Sequence, residues 1–173
     1  ALADLLENPL NEQAVNIAKR KAVEVLGRLN ATSLIVKIGR CLWSEDRYLV
    51  ENTICALKQL KCRQPELIEK MIVLLSENQY NQRALIQCLA SLSVKESLPA
   101  IEALKGSESP GISGAAISAD AQLSGNRKHL SVIADHLLLP NQMDRQCAIQ
   151  DLIDAQAVEF LPSIVASPVS PAF

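Results

Sequence analysis

Aromatic side chains make up only 3% of the 173 residues, as two Tyr, two Phe and one Trp. That scarcity leaves little material for the stacked-base platforms of single-strand nucleic-acid binders, and it hands core packing to aliphatic side chains. No charge of one sign dominates, since 17 Lys and Arg against 19 Asp and Glu leave a net charge of -2. A basic nucleic-acid surface and the bias of a disordered tail are both excluded. No apolar run reaches the ~20 residues of a membrane-spanning helix, and nothing at the start reads as a signal peptide. Five cysteines (Cys41, Cys55, Cys62, Cys88, Cys147) are odd in number and lack CxxC spacing, which argues against a disulfide framework or a zinc site. A reducing cytoplasm fits best; Cys62 and Cys88 suit small core fillers, while Cys55 falls in a polar column and is expected to be exposed without a catalytic use. His129 and His136 stand seven apart with no companion at metal-binding spacing, so no metal is expected. P-loop, GxGxxG and GxSxG patterns are all missing, and with them the signs of an NTPase, a dinucleotide enzyme or a hydrolase.

What is present is a repeat. Laid over one another, AVEVLGRL (22–29), TICALKQL (53–60), LIQCLASL (85–92), AISADAQL (116–123) and AIQDLIDA (148–155) end 31, 32, 31 and 32 residues apart. A second apolar segment follows each in step, with anchors Ile35, Ile68, Ile101, Ile133 and Ile164 separated by 33, 33, 32 and 31. Apolar residues inside both sets recur at i, i+3 and i+4, and sustained alternation is absent, so the segments read as helices. Two short helices cannot bury an apolar face alone and must stack on neighbours. The expectation is an all-α fold, an α-solenoid of about five HEAT-like two-helix repeats, forming a single repeat domain over 1–173. The chain does not begin with Met and starts inside an apparent helix, which reads as a processed chain or part of a longer array. Apolar residues in both terminal units imply that a partner or further repeats cover at least one end.

The register sorts columns into inside and outside. Leu26, Leu57, Leu89 and Leu152 share a core column in which Asp120 is the exception, and Asp120→Leu is expected to be neutral or stabilising unless the aspartate is paired. Tyr48, Glu51 and Cys55 lie on one helical face, in columns reading Ile17, Tyr48, Tyr80, Gly111, Met143, then Arg20, Glu51, Arg83, Gly114, Gln146, then Glu24, Cys55, Gln87, Ser118, Gln150. Two of the three columns are mainly polar, which places this face away from the core. Alternation of Arg20, Glu51 and Arg83 permits ion pairs between repeats, each worth ~0.2–1 kcal/mol when exposed. The small-residue stretch ESPGISGAAISADAQLSG (108–125) reads as a loosely packed repeat, or as room for a ligand or client helix.

DRYLVENTICAL (46–57) resembles the D-x-Y-x-V-E-N-x-x-W-A-L pattern of the HEAT-repeat phycobilin lyases of cyanobacteria, the E/F type of phycobiliprotein chromophore lyase. Asp46, Tyr48, Val50, Glu51, Asn52, Ala56 and Leu57 match, while Cys55 stands where the pattern has Trp. The resemblance implies a lyase or lyase subunit that binds a linear tetrapyrrole (bilin) as substrate in the concave groove and attaches it to a cysteine of a phycobiliprotein subunit, with isomerase activity in some members. It also implies a second HEAT-repeat subunit as partner, and no nucleic acid or membrane insertion. On this reading Glu51 and Asp46 are the catalytic carboxylates. Arg47 and Arg20 are rim cations for the two propionates, Tyr48 and Tyr80 offer flat surfaces, and Asn52, Arg83 and Trp43 are further binding residues. The alternative is a HEAT-repeat scaffold that grips a partner protein and performs no chemistry, which the same repeats would serve equally well.

Overall fold

The computed structural model describes residues 2–8, 12–77 and 80–169, and among these no strand occurs. The described residues form eleven α-helices in order: α1 (Leu2–Leu6), α2 (Gln13–Arg28), α3 (Ile35–Gly39), α4 (Arg47–Gln59), α5 (Pro65–Glu77), α6 (Gln82–Ser91), α7 (Leu98–Glu102), α8 (Pro110–Ser124), α9 (Leu130–His136), α10 (Gln142–Asp154) and α11 (Leu161–Ala166). The first helices of the five repeats are α2, α4, α6, α8 and α10. Their second helices are α3, α5, α7, α9 and α11, and α1 stands before the first pair. Pro99 and Pro162 lie in the first turns of α7 and α11, where a missing N–H breaks no helical hydrogen bond.

The period is written into the backbone by a recurring stop. Asn30, Lys61, Ser93 and Gln156, each one residue past the end of a repeat's aligned segment, take left-handed φ values of 52, 51, 58 and 51°. Around Asn30, its N–H donates to the Gly27 carbonyl and the N–H of Ala31 to Leu26. The same pairs recur as Lys61 to Lys58 with Cys62 to Leu57, and as Gln156 to Ile153 with Ala157 to Leu152. These are Schellman closures, which satisfy the last carbonyls and turn the chain back for the second helix. In the fourth repeat the stop falls one residue later, on Gly125.

The chain divides into two compact units, 1–92 and 93–173. In the first, α2 packs on α4 and α4 on α6, with α3 and α5 behind them. Leu26, Leu57 and Leu89 are buried as their column requires, as is Leu152 of the second unit. The second unit is built around α8, which contacts α7, α9 and α10. Its apolar core joins Ile117 and Ala121 of α8 to Leu130 and Ile133 of α9 and to Ala148, Ile149 and Leu152 of α10.

Two expectations change here. The small-residue stretch is not loosely packed: α8 is buried on almost every side, because its small residues let α10 come close. A Cβ on Gly114 would stand 2.7 Å from Asp151 Oδ2, and the Ser118 hydroxyl donates to the Asp151 carbonyl at 2.7 Å. Gly111, Gly114 and Ser118 are therefore buried, unlike Tyr48 and Glu51 in the same columns. Asp120 is not a misplaced core residue either. Its carboxylate accepts from Lys105 Nζ, from Ser124 Oγ at 2.7 Å and from Asn126 Nδ2 at 3.0 Å, which satisfies a charge that burial would otherwise penalise.

Candidate functional site

The N-terminus of α4 is built by Ser44 and Asp46. Ser44 Oγ accepts the Asp46 N–H at 3.1 Å, and Asp46 Oδ1 accepts the N–H groups of Tyr48 and Leu49 at 3.0 and 3.2 Å. Asp46 is thus the N-cap of the helix. Its second oxygen accepts from Arg20 Nε at 2.8 Å and Nη2 at 2.7 Å, tying α4 to α2. Burial alone would push the Asp46 carboxyl up, but the Arg20 guanidinium and the two backbone N–H groups outweigh it and hold the carboxyl below its ordinary range. The inter-repeat ion pair of Arg20 is therefore with Asp46 rather than Glu51, and the Asp46 carboxylate is committed to four donors.

From this pair a stack of cations and rings runs outward. The Arg20 guanidinium carbon lies 4.8 Å from the centre of the Tyr48 ring, that of Arg47 lies 4.6 Å from the same ring, and Arg47 is also 5.1 Å from the centre of Tyr80. Arg47 Nη2 donates to the Tyr48 hydroxyl at 2.6 Å. Both tyrosines are exposed, Tyr80 by 76% and Tyr48 by 46%. Cation–π contacts at such exposed sites are each worth ~0.5–1 kcal/mol, enough to favour one arrangement of four otherwise mobile side chains. The stack borders a cleft of about 430 Å³ lined by Gln13, Asn16, Arg20, Glu45, Asp46, Arg47 and Tyr48.

Asparagines hold the backbone behind the two arginines. Asn52 Nδ2 donates to the Arg20 carbonyl at 3.1 Å, and Asn81 Nδ2 donates to the Arg47 carbonyl at 3.3 Å. Each clasp comes from a later first-helix segment, α4 in one case and the start of α6 in the other. Asn81, Gln13 and Asn16 are site residues that the sequence reading missed. The only signal for Asn81 was its separation from Arg47, 34 residues, close to the repeat length.

Glu51 is exposed one turn beyond Arg47 on the same face. Cys55 is exposed a turn further on, beside a hollow of about 40 Å³ formed with Glu24, Asn52, Ala56 and Gln59. Burial first and the Glu51 charge second push its thiol up, the opposite of what a nucleophile needs. Trp43 lies apart from the stack. It is half exposed, with Lys70 Nζ 5.7 Å from its ring centre, and it lines a second cleft of about 320 Å³ that shares Asn16 and Glu45 with the first. Arg83 is half-buried at the second position of α6. The structure thus gathers Arg20, Asp46, Arg47, Tyr48 and Tyr80, attaches Asn52 behind them and sets Glu51 beside them. Among the described residues no cluster of His, Cys, Asp and Glu could hold a metal ion, and no helix is long and apolar enough to cross a membrane.

The chain matches no protein-family model. It is 50% identical over 159 residues, 92% of its length, to the bilin biosynthesis protein CpeY of Synechococcus sp. (strain WH8020). It is 36% identical over 162 residues, 94% of its length, to the uncharacterized phycocyanin operon protein Y of Pseudanabaena tenuis (strain PCC 7409). The chain spans only 38% and 39% of these two relatives. Among solved structures, a chain in the complex of CpcE and CpcF of phycocyanin lyase from Nostoc sp. PCC7120 has the same fold. The TM-score is 0.81 at 19% identity, covering 97% of this chain and 68% of that one.

Proposed function

We propose, for a chain with relatives named for bilin biosynthesis and the phycocyanin operon and with the fold of a phycocyanin lyase chain, that it is a lyase or lyase subunit acting on a linear tetrapyrrole. The observation that carries this reading is the Arg20–Tyr48–Arg47–Tyr80 stack, which stands beside an open cleft that two residues of the family pattern, Asp46 and Tyr48, help to line. In this reading the bilin lies along the outer face of α4, and Arg47 and Arg20 meet its propionates through charge-assisted hydrogen bonds. Glu51 accepts hydrogen bonds from pyrrole N–H groups. An anionic acceptor there favours the protonated chromophore and makes the reacting carbon more electrophilic. The client's thiol adds across the ethylidene group, forming a C–S bond as the sulfhydryl proton passes to the neighbouring carbon. The acceptor cysteine belongs to a phycobiliprotein subunit, so the high-pKa Cys55 has no part in the step.

Asp46 serves the site by fixing Arg20 and the start of α4. Tyr80, Asn52 and Arg83 complete the binding face, and Trp43 contacts the tetrapyrrole only if it extends into the second cleft. The phycocyanin lyase neighbour is a complex of CpcE and CpcF, and a second lyase subunit is the corresponding partner here, with the cytoplasm as the place of action.

The test is attachment of phycoerythrobilin to client with the partner subunit present. Glu51→Gln preserves shape on an exposed face and should keep the helical circular dichroism and melting temperature while sharply reducing attachment. Unchanged attachment in that variant removes Glu51 from the chemistry. Failure of the wild-type pair to bind or attach bilin, with client still bound, replaces the lyase reading with the scaffold.

A further inference from the structure

The place of Tyr48 in the stack assigns it a task other than a flat contact for substrate. Guanidinium groups lie 4.8 and 4.6 Å from its ring centre, and its hydroxyl is occupied by Arg47 Nη2 at 2.6 Å. The two cations differ in what they have to spare. Arg20 gives both Nε and Nη2 to Asp46, so its charge is offset by a carboxylate that is nearly enclosed. Arg47 caps no carboxylate among the described residues. It spends one N–H on the Tyr48 hydroxyl, lies near both tyrosine rings, feels the Glu51 charge one turn on and is among the residues that line the cleft. An exposed arginine has much rotamer freedom to lose, and a cation fixed before binding loses less of it when it captures an anion. Glu45 also lines the cleft. Its opposing charge makes net attraction of anions weak there, so discrimination rests on the geometry of one fork.

We propose that Tyr48 is a positioning residue that holds Arg47 as the carboxylate-reading group of the cleft, and that the pair makes the protein selective for tetrapyrroles with free propionates over the same molecules with those groups masked. This rests on the tetrapyrrole reading above. A planar guanidinium suits a carboxylate in two-point contact, whereas an ester keeps the shape and loses the charge.

The experiment measures binding of phycoerythrobilin and of its dimethyl ester, by absorbance change, to the full chain with its partner subunit. Wild type should favour the free acid by about tenfold, the order expected from one charge-assisted bond. Tyr48→Phe keeps a ring for cation–π contact but removes the hydroxyl, and should lose about tenfold for the free acid with little change for the ester. Arg47→Gln should behave alike. The double variant should be no worse than Arg47→Gln alone, because both changes disable one unit. Equal wild-type affinity for the two probes overturns the proposal while leaving the lyase reading intact. So does a Tyr48→Phe loss that falls equally on both probes, or additive losses in the double variant. Wild type that binds neither probe ends the lyase reading and this inference with it. Both residues are exposed, and unchanged circular dichroism confirms that each variant folds.

Discussion

Asp120 and Asp46 show how much a single partner alters the meaning of a residue. Asp120 sits in a column of leucines, and pattern alone marks it as a flaw. Lys105, held on it from the start of the unit, makes replacement costly instead. Asp120→Leu takes from Lys105, only 19% exposed, its close partner and leaves it the looser, exposed Glu102 at 3.6 Å, so it should destabilise the protein by less than the ~3–5 kcal/mol typical of a fully broken buried pair. A thermal melt checks it. Both carboxyls are held below their ordinary range: burial pushes each up, and Lys105 with Ser124 in one case and Arg20 with two backbone N–H groups in the other outweigh it. A depressed folded pKa stabilises the native state above the unfolded value, about 3.9, and the contribution is lost as pH falls through the depressed folded value. Melting temperature should therefore fall steeply below about pH 4, and Asp46→Asn with Asp120→Asn should start lower and flatten that acid limb. Neither partner was legible beforehand, since Arg20 lies 26 residues and Lys105 15 residues away, and nothing local announces either pairing.

At the scale of elements, the recurring stop after each first helix is built from residues that prefer other conformations. Left-handed φ costs a non-glycine residue ~1–2 kcal/mol, offset in part by the greater unfolded-state entropy of glycine. Lys61→Gly should thus raise stability by about 0.5–1 kcal/mol in a urea titration, while Gly114→Ala should lower it by about 1–3 kcal/mol through overpacking against α10. Leu57→Ala or Leu89→Ala, each fully buried, should cost ~2–5 kcal/mol. Helix positions were readable because apolar period and repeat register agree. The stops were not, because Asn30, Lys61, Ser93 and Gln156 share no chemistry; only their backbone is alike. The close approach of α8 and α10 was likewise hidden, since small residues look the same whether they leave space or admit a neighbour.

For the whole chain, the repeat count and the outward face of α2, α4 and α6 came from spacing, and the gathering of Arg20, Asp46, Tyr48 and Tyr80 follows from stacking those faces. The choice of Asp46 over Glu51 as partner for Arg20 did not, because it turns on which carboxylate the helix start already holds in place. The same burial pattern orders the thiols. Cys41, Cys62 and Cys88 are buried, Cys147 is intermediate and Cys55 is exposed, and burial raises Cys88 to about 12. Iodoacetamide on the native protein should label Cys55 first, slowly for a surface thiol, and leave Cys41, Cys62 and Cys88 unmodified by mass spectrometry until denaturant is added.

The asparagine clasps bear on recombination. Each reaches across 32 or 34 residues, from Asn52 to the Arg20 carbonyl and from Asn81 to the Arg47 carbonyl, so the two spans overlap between Arg47 and Asn52. In a chimera with a divergent homologue, a breakpoint inside that overlap draws the two members of both clasps from different parents, whereas a breakpoint after Asn81 leaves both intact. Libraries cut at the ends of helices would treat the start of α4 as a safe seam, yet there one parent's asparagines must reach backbone carbonyls that the other parent's helix packing sets in place.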